Sequence, residues 1–136
     1  MSKSKLWTWA AIAVGIGAVV YLLLPGDGGG RGQAIAVSLP GSFSAKASEG
    51  EGLFNNNCAT CHGPNGAGSE QGPPLIHRIY EPNHHADLSF ILAARNGVRA
   101  HHWNFGNMAP VPGVSEQDVK KIVAYIREIQ RANGIR

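Results

Sequence analysis

A run of uncharged residues near the N-terminus constrains this chain most. From Leu6 to Leu24 the sequence contains no Asp, Glu, Lys or Arg over 19 positions. As a helix the run would measure about 28 Å, close to the roughly 30 Å thickness of a bilayer's hydrocarbon core. Trp7, Trp9 and Tyr21 lie near its two ends, where aromatic rings settle at the membrane interface. The run therefore predicts a transmembrane helix over residues 6–24.

The flanks of this run predict its orientation. Lys3 and Lys5 precede it, and positively charged flanks stay on the cytoplasmic side. We therefore expect a single-pass protein of a bacterial inner membrane, with residues 1–5 in the cytoplasm and the residues after Leu24 on the periplasmic side. A cleaved secretory signal is the alternative, but its apolar core spans only about 7–15 residues. The nearest small-x-small pattern, at residues 34–36, does not closely follow the run. An uncleaved anchor is the better interpretation.

Residues 25–47 predict a Gly-rich flexible linker. Pro25 ends the helix, and the glycines of residues 26–32 do not favour a packed element. Residues 34–39 offer the alternative of a short strand.

Residues 48–136 form the predicted folded unit. Its first helix begins at Ser48, where Ser48 and Glu51 form a capping-box pattern. A second helix runs from Asp87 to about Asn96, and Gly97 provides its C-terminal stop.

The last predicted helix is the clearest of the three. Ser115 caps its start, with acidic residues in the first turn, and Asn133-Gly134 ends it. One apolar stripe follows the helical period: Val119, Ile122, Val123, Ile126 and Ile129. Three short helices joined by Gly/Pro loops bury little apolar surface, so a unit of this size requires a staple, a metal or a cofactor.

Charge and cysteine content exclude two classes of protein. The net charge is +3, but without Lys3 and Lys5 the chain has ten basic and nine acidic residues, a net +1. No clustered basic face with stacking aromatics is visible, which argues against a nucleic-acid partner. Two cysteines are too few for a disulfide scaffold.

The motif Cys58-Ala59-Thr60-Cys61-His62 carries the chemistry. Its spacing lets two thiols add across the two vinyl groups of one haem, which gives haem c, while His62 faces the iron. One alternative is a thioredoxin-like redox pair, but the βαβ context is missing. Another is half of a zinc site completed by His84-His85 or His101-His102. Covalent haem is the better interpretation, and the predicted anchor agrees with it.

With this motif, residues 48–136 resemble the class I cytochrome c family, carried on an N-terminal membrane anchor. In that family, a helix with Gly-x-x-x-aromatic precedes the haem motif, matched by Gly50 and Phe54, and packs on a final-helix aromatic, matched by Tyr125. The resemblance implies an all-α fold of three to five short helices around one covalent haem. A Gly-Pro-x-Leu stretch follows the motif, matched at residues 72–75.

The resemblance also implies roles for single residues. The Pro73 carbonyl would accept the Nδ1–H of His62, and Leu75 would pack on the haem face. Met108, in a Gly-Asn-Met-Ala-Pro loop, matches the family's second iron ligand, although Ala109 stands where a proline is usual. Trp103 either donates its indole N–H to a haem propionate or only packs.

The remaining histidines leave an alternative open. His101 or His102 could replace Met108 as ligand, although solvated side chains are the simpler interpretation for these and for His77, His84 and His85.

The implied function is single-electron transfer between respiratory or photosynthetic membrane complexes. Redox protein complexes are then the donor and acceptor, and neither a small-molecule substrate nor enzymatic activity of its own is expected. The alternatives are a fixed haem subunit of a membrane oxidoreductase, a haem-based gas sensor or peroxidase, and a zinc-stabilised interaction module.

Overall fold

The computed structural model describes residues 34–136. The predicted transmembrane helix, residues 6–24, and the start of the predicted linker lie outside the described residues. Within 34–136 the chain forms α-helices and short 3-10 turns, with one isolated antiparallel bridge between Val98 and Met108 in place of any strand. This confirms the helical character of the folded unit. No helix in this range has the length and apolarity needed to span a membrane.

The helices are named here in chain order. They are α1 (Ala45–Asn57), α2 (Ala59–His62), α3 (Asp87–Asn96) and α4 (Glu116–Ala132), and the two 3-10 turns are Pro64–Gly66 and Arg78–Tyr80.

Helix α1 begins earlier than predicted. Ser44, not Ser48, is the N-cap, and its side chain accepts a hydrogen bond from the Ala47 backbone at 3.3 Å. The Ser44 hydroxyl also donates to the Glu128 carboxylate on α4 at 2.7 Å. Because Ala47 is fully buried, the chain is already part of the packed helix at that point. The predicted domain boundary at residue 48 therefore lies too late, and the linker ends before Ala45.

The segment before α1 is hydrogen-bonded to the folded unit and packs against it. The Ile35 backbone N–H donates to the Ala67 carbonyl at 2.9 Å, and Ser38 exchanges hydrogen bonds with the Asn133 side chain. Phe43 packs against the hydrophobic core. Residues 34–39 form no strand.

Helices α3 and α4 match their predicted bounds. Gly97 ends α3 at φ 73°, a conformation that glycine adopts readily. At the start of α4, Ser115 and Asp118 form a capping box, and Asn133 caps the other end. The predicted apolar stripe of α4 is buried along its whole length.

Helices α1 and α4 cross closely and form the core. A Cβ atom added at Gly50 would collide with the backbone carbonyl of Lys121. Beside this crossing, the Phe54 and Tyr125 rings lie 5.7 Å apart, and Phe43 covers Tyr125 from the other side at 5.1 Å. The helix crossing implied by the resemblance is therefore present.

Two buried polar residues of α4 hold the loop that precedes α3. The Arg127 guanidinium donates to the carbonyls of Tyr80 at 2.6 Å and His85 at 2.5 Å. Gln130 donates to the Leu75 carbonyl at 2.9 Å and accepts from Arg127 at 2.7 Å. The sequence analysis missed this network. The network fixes one wall of a cavity beside the α1–α4 crossing.

Candidate functional site

A cavity of about 840 Å³ opens beside the α1–α4 crossing. This volume falls within the range of about 300–1,000 Å³ that small-molecule and cofactor sites occupy. Every site residue predicted from the sequence lines it: Cys58, Cys61, His62, Pro73, Leu75, Trp103 and Met108. The fold thus brings together residues spread over 51 positions of sequence, from 58 to 108.

Cys58 and Cys61 lie at the junction of α1 and α2 and form no disulfide with each other. Cys58 is half-buried and Cys61 is exposed. Burial, and secondly the proximity of Cys61, raises the pKa of the Cys58 thiol to about 11. A thiol-disulfide redox pair needs a thiol whose pKa is lowered, so this environment argues against the thioredoxin-like alternative.

His62 is the last residue of α2 and is held through its ring. Its Nδ1 lies 2.9 Å from the Pro73 carbonyl oxygen. Because a carbonyl can only accept, Nδ1 carries the proton and Nε2 keeps the lone pair that binds a metal. Burial lowers the pKa of His62, and this effect outweighs the hydrogen bond to Pro73, which raises it. The neutral ring is therefore favoured. This is the orientation that metal-bound imidazoles have in proteins.

The backbone around Pro73 depends on a close approach to the cysteine motif. A Cβ added at Gly72 would lie 2.8 Å from the Cys61 carbonyl oxygen, so a side chain there would push the loop away. The buried Leu75 is anchored next to it, with its N–H donating to the Gly66 carbonyl at 2.8 Å. Only a glycine at position 72 allows this spacing between the loop and Cys61.

Met108 is fixed through its backbone. It exchanges two hydrogen bonds with Val98, at 2.9 and 3.0 Å, and these form the isolated bridge. Gly97 makes this approach possible, because a Cβ there would lie 2.5 Å from the Met108 carbonyl oxygen. The half-buried Met108 therefore lines the cavity on an anchored strand-like segment rather than on a free loop.

Trp103 has a buried indole nitrogen without a hydrogen-bond partner. Burial raises the pKa of the Tyr80 hydroxyl, and the Trp103 indole partly offsets this, yet the two groups lack hydrogen-bond geometry. An unpaired buried N–H costs about 1–3 kcal/mol. An anionic group in the cavity would satisfy it. The residues present therefore fit haem c: its precursor has two vinyl groups to which the thiols can add, two propionates, and an iron that takes imidazole and thioether ligands.

The other histidines do not join the cysteines. Among residues 34–136, the one group of three or more potential metal ligands is His84, His85 and His102, and it contains neither cysteine. The zinc alternative at the cysteine motif therefore lacks its remaining ligands. The sequence shows the pairs His84-His85 and His101-His102, but it does not indicate that the fold brings them together.

Comparison with known proteins agrees with this site. We found no matching curated protein and no matching solved structure. A family model described as Cytochrome c matches residues 47–130, well over half of the chain, and the chain therefore belongs to the cytochrome c family, with covalently attached haem c and haem-based electron transfer.

Proposed function

We propose that this protein is a membrane-anchored carrier of single electrons with one haem c, whose iron is ligated by His62 and Met108. The observation that carries the proposal is the convergence of all seven predicted site residues on one cavity. Two of them, His62 and Met108, are held in place by hydrogen bonds to backbone groups of the protein itself.

Each of the seven predicted site residues would have a task toward the haem. Cys58 and Cys61 would hold the haem through thioether bonds, and His62 would bind the iron through Nε2. Met108 supplies a soft, uncharged thioether that favours ferrous iron and a high potential. When bound, the haem supplies one-electron cycling between Fe(III) and Fe(II). Because His62 and Met108 would both bind the iron, it would have no free site for oxygen or peroxide, which favours electron transfer.

Leu75 and Trp103 complete the surroundings of the cofactor. The buried Leu75 packs against the haem and keeps water away from it. The indole N–H of Trp103, which has no partner among the described residues, would donate to a propionate. This pairing removes the cost of the buried donor.

The proposed location rests on the sequence outside the described residues. Residues 6–24 anchor the chain in a bacterial inner membrane, residues 1–5 stay in the cytoplasm, and the haem domain works in the periplasm. Its partners are respiratory or photosynthetic membrane complexes that donate and accept electrons. Tethering keeps the domain at high local concentration near them, which permits weak and fast contacts.

Optical spectra of the full chain, produced with the haem-attachment machinery, test this function. We expect sharp reduced bands that carbon monoxide does not change, and a far-red sulfur-to-iron band in the oxidised protein. A shift with carbon monoxide would indicate an open iron and favour the gas-sensor alternative. Loss of the far-red band without carbon monoxide binding would indicate a bis-histidine iron. Co-purification of a stoichiometric partner in mild detergent would favour a fixed subunit.

A further inference from the structure

Four histidines from two loops lie close together, and three of them, His85, His101 and His102, line the cavity. His84 and His85 lie in the turn before α3, and His101 and His102 lie between Val98 and Met108. The ring centroids of His101 and His102 are 4.3 Å apart, those of His84 and His102 are 5.2 Å apart, and those of His85 and His102 are 5.3 Å apart. The proposed electron transfer uses none of these side chains.

Three of the four rings each have a nitrogen atom close to a nitrogen of the other two. One nitrogen each from His84, His85 and His102 lies within 4.8 Å of the others. The Nε2 atoms of His84 and His102 are 3.3 Å apart. Two imidazole nitrogens at about 2.0–2.1 Å from a tetrahedral zinc ion are separated by about 3.3–3.4 Å. This pair already has the spacing of two ligands, and the side-chain torsions of His84 and His102, which are exposed, can close the remaining gap to His85.

A hydrogen bond to the backbone prepares His85 for this role. Its Nδ1 lies 2.6 Å from the Ile79 carbonyl oxygen, so Nδ1 carries the proton and Nε2 is free to bind a cation. Metal-binding histidines commonly donate their other ring N–H to a carbonyl in this way. The His85 carbonyl is in turn held by Arg127 of α4. One side of the cluster is therefore fixed to the core.

We propose that His84, His85 and His102 bind a divalent transition-metal cation, Zn²⁺ in the first instance, at a site separate from the haem iron. Three imidazoles suit Zn²⁺, Cu²⁺ and Ni²⁺, whereas Mg²⁺ and Ca²⁺ prefer oxygen ligands. Three protein ligands leave the fourth position of a tetrahedral ion open. His101 lies outside the ligand set, and its Nδ1 donates to the Arg99 carbonyl at 2.8 Å.

The ion would join two segments that differ in how firmly they are anchored. His84 and His85 belong to the turn held by α4, and His102 belongs to the exposed loop that leads to Met108. A cation shared by both would restrict that loop and raise the melting temperature, because it binds the folded state and not the unfolded chain. The site does not depend on Met108 ligation, so the two proposals can fail separately.

Zinc titration of the haem-loaded full chain tests the site. We expect one tightly bound Zn²⁺ per chain, measured by competition with a chromophoric chelator, and a higher Tm in its presence. His84→Ala and His102→Ala each weaken zinc binding by at least about 10–100-fold, the loss seen even for residues that only support a ligand. His77→Gln removes a histidine outside the cluster and leaves the affinity unchanged, as does His101→Ala. The optical spectrum of each variant verifies that the haem pocket is intact.

Several results would overturn the proposal. One is wild-type affinity in the His84→Ala, His102→Ala double variant, and another is an equal loss of affinity in His77→Gln. Absence of stoichiometric binding by the wild-type chain is a third. NMR of the wild-type imidazole signals makes the test independent of variant folding: zinc shifts the signals of His84, His85 and His102, and an equal shift of His77 would contradict a defined site.

Discussion

Gly50 on α1 lies directly against the backbone carbonyl of Lys121 on α4, with no space for a side chain between them. Gly50→Ala forces the two helices apart and lowers the free energy of unfolding by about 1–3 kcal/mol. Gly52→Ala is the matched control, because a Cβ there meets nothing within 4 Å on the same helix. It raises the free energy of unfolding by about 0.5–1 kcal/mol. Urea unfolding of both haem-loaded variants measures the difference, and a stabilising Gly50→Ala would contradict the close crossing.

Arg127 supports the loop before α3 from within the core. Arg127→Met removes the donors to the Tyr80 and His85 carbonyls and lowers the free energy of unfolding by about 2–3 kcal/mol. Arg127→Lys recovers little of this, because an ammonium cannot reach several acceptors in one plane. Arg131→Met is the control: Arg131 is exposed and 4.0 Å from Glu128, so we expect a change within about 0.5 kcal/mol. Equal losses in the two methionine variants would show that burial of Arg127 contributes nothing.

Met108→Ala removes the proposed thioether ligand of the iron and leaves both cysteines of the haem motif in place. We expect the ferrous variant to bind carbon monoxide and to lose the far-red sulfur-to-iron band. The midpoint potential falls, within the span of roughly 0.8 V that axial ligands control. Phe105→Leu is the control, since Phe105 lines the same cavity without a ligand atom. A Met108→Ala protein that still excludes carbon monoxide would assign the ligand to another residue.

Trp103→Phe removes a buried N–H that has no acceptor within the described residues. If the indole donates to a haem propionate, it lowers that propionate's pKa, and its loss raises the pKa. We therefore expect the pH-dependent fall of the midpoint potential to begin at higher pH in the variant. Potentiometric titration between pH 4 and 9 measures the shift. An unchanged profile would mean that Trp103 only packs.

The capping box of α4 predicts a specific acid response. The hydrogen bonds from the Ser115 hydroxyl and backbone hold the pKa of the Asp118 carboxyl below its usual range. Its contribution to stability is therefore complete above the unfolded pKa of about 3.9 and is lost as pH falls through the lower folded value. In Ser115→Ala the pKa of Asp118 rises towards its ordinary value, and this part of the acid destabilisation shrinks. NMR titration of the carboxyl measures it, and an unmoved pKa would contradict the cap's role.

Local patterns made α3 and α4 predictable from the sequence. Gly97 marks the end of α3, and Ser115 and Asn133 mark the two ends of α4, so no distant contact was needed to place them. The start of α1 was different. Ser44 and Ser48 can both cap a helix, and the choice depends on Glu128, which lies more than eighty residues away and bonds to Ser44. The sequence alone does not indicate that Ser44 and Glu128 are in contact.

The parts that sequence reasoning missed depend on backbone acceptors or on two loops at once. The role of Arg127 was missed, because the carbonyls it binds have no signature in the residue type. The cluster of His84, His85 and His102 requires the turn before α3 to meet the loop before Met108. The cavity residues were predictable because the cysteine motif and the resemblance named each one separately, whereas their convergence came from the fold.

The packing of Phe54 on Tyr125 has a consequence for the order of events during synthesis. A nascent chain emerges from its N-terminal end, so Cys58 and Cys61 are made while the helix that will cover α1 does not yet exist. Throughout that interval both thiols sit on an unpacked segment that an attaching catalyst can reach. A core that closed before attachment would half-bury Cys58 and raise the pKa of its thiol to about 11, which makes the thiol a poor nucleophile. The linear order of the chain therefore favours attachment of the cofactor first and closure of the core afterwards.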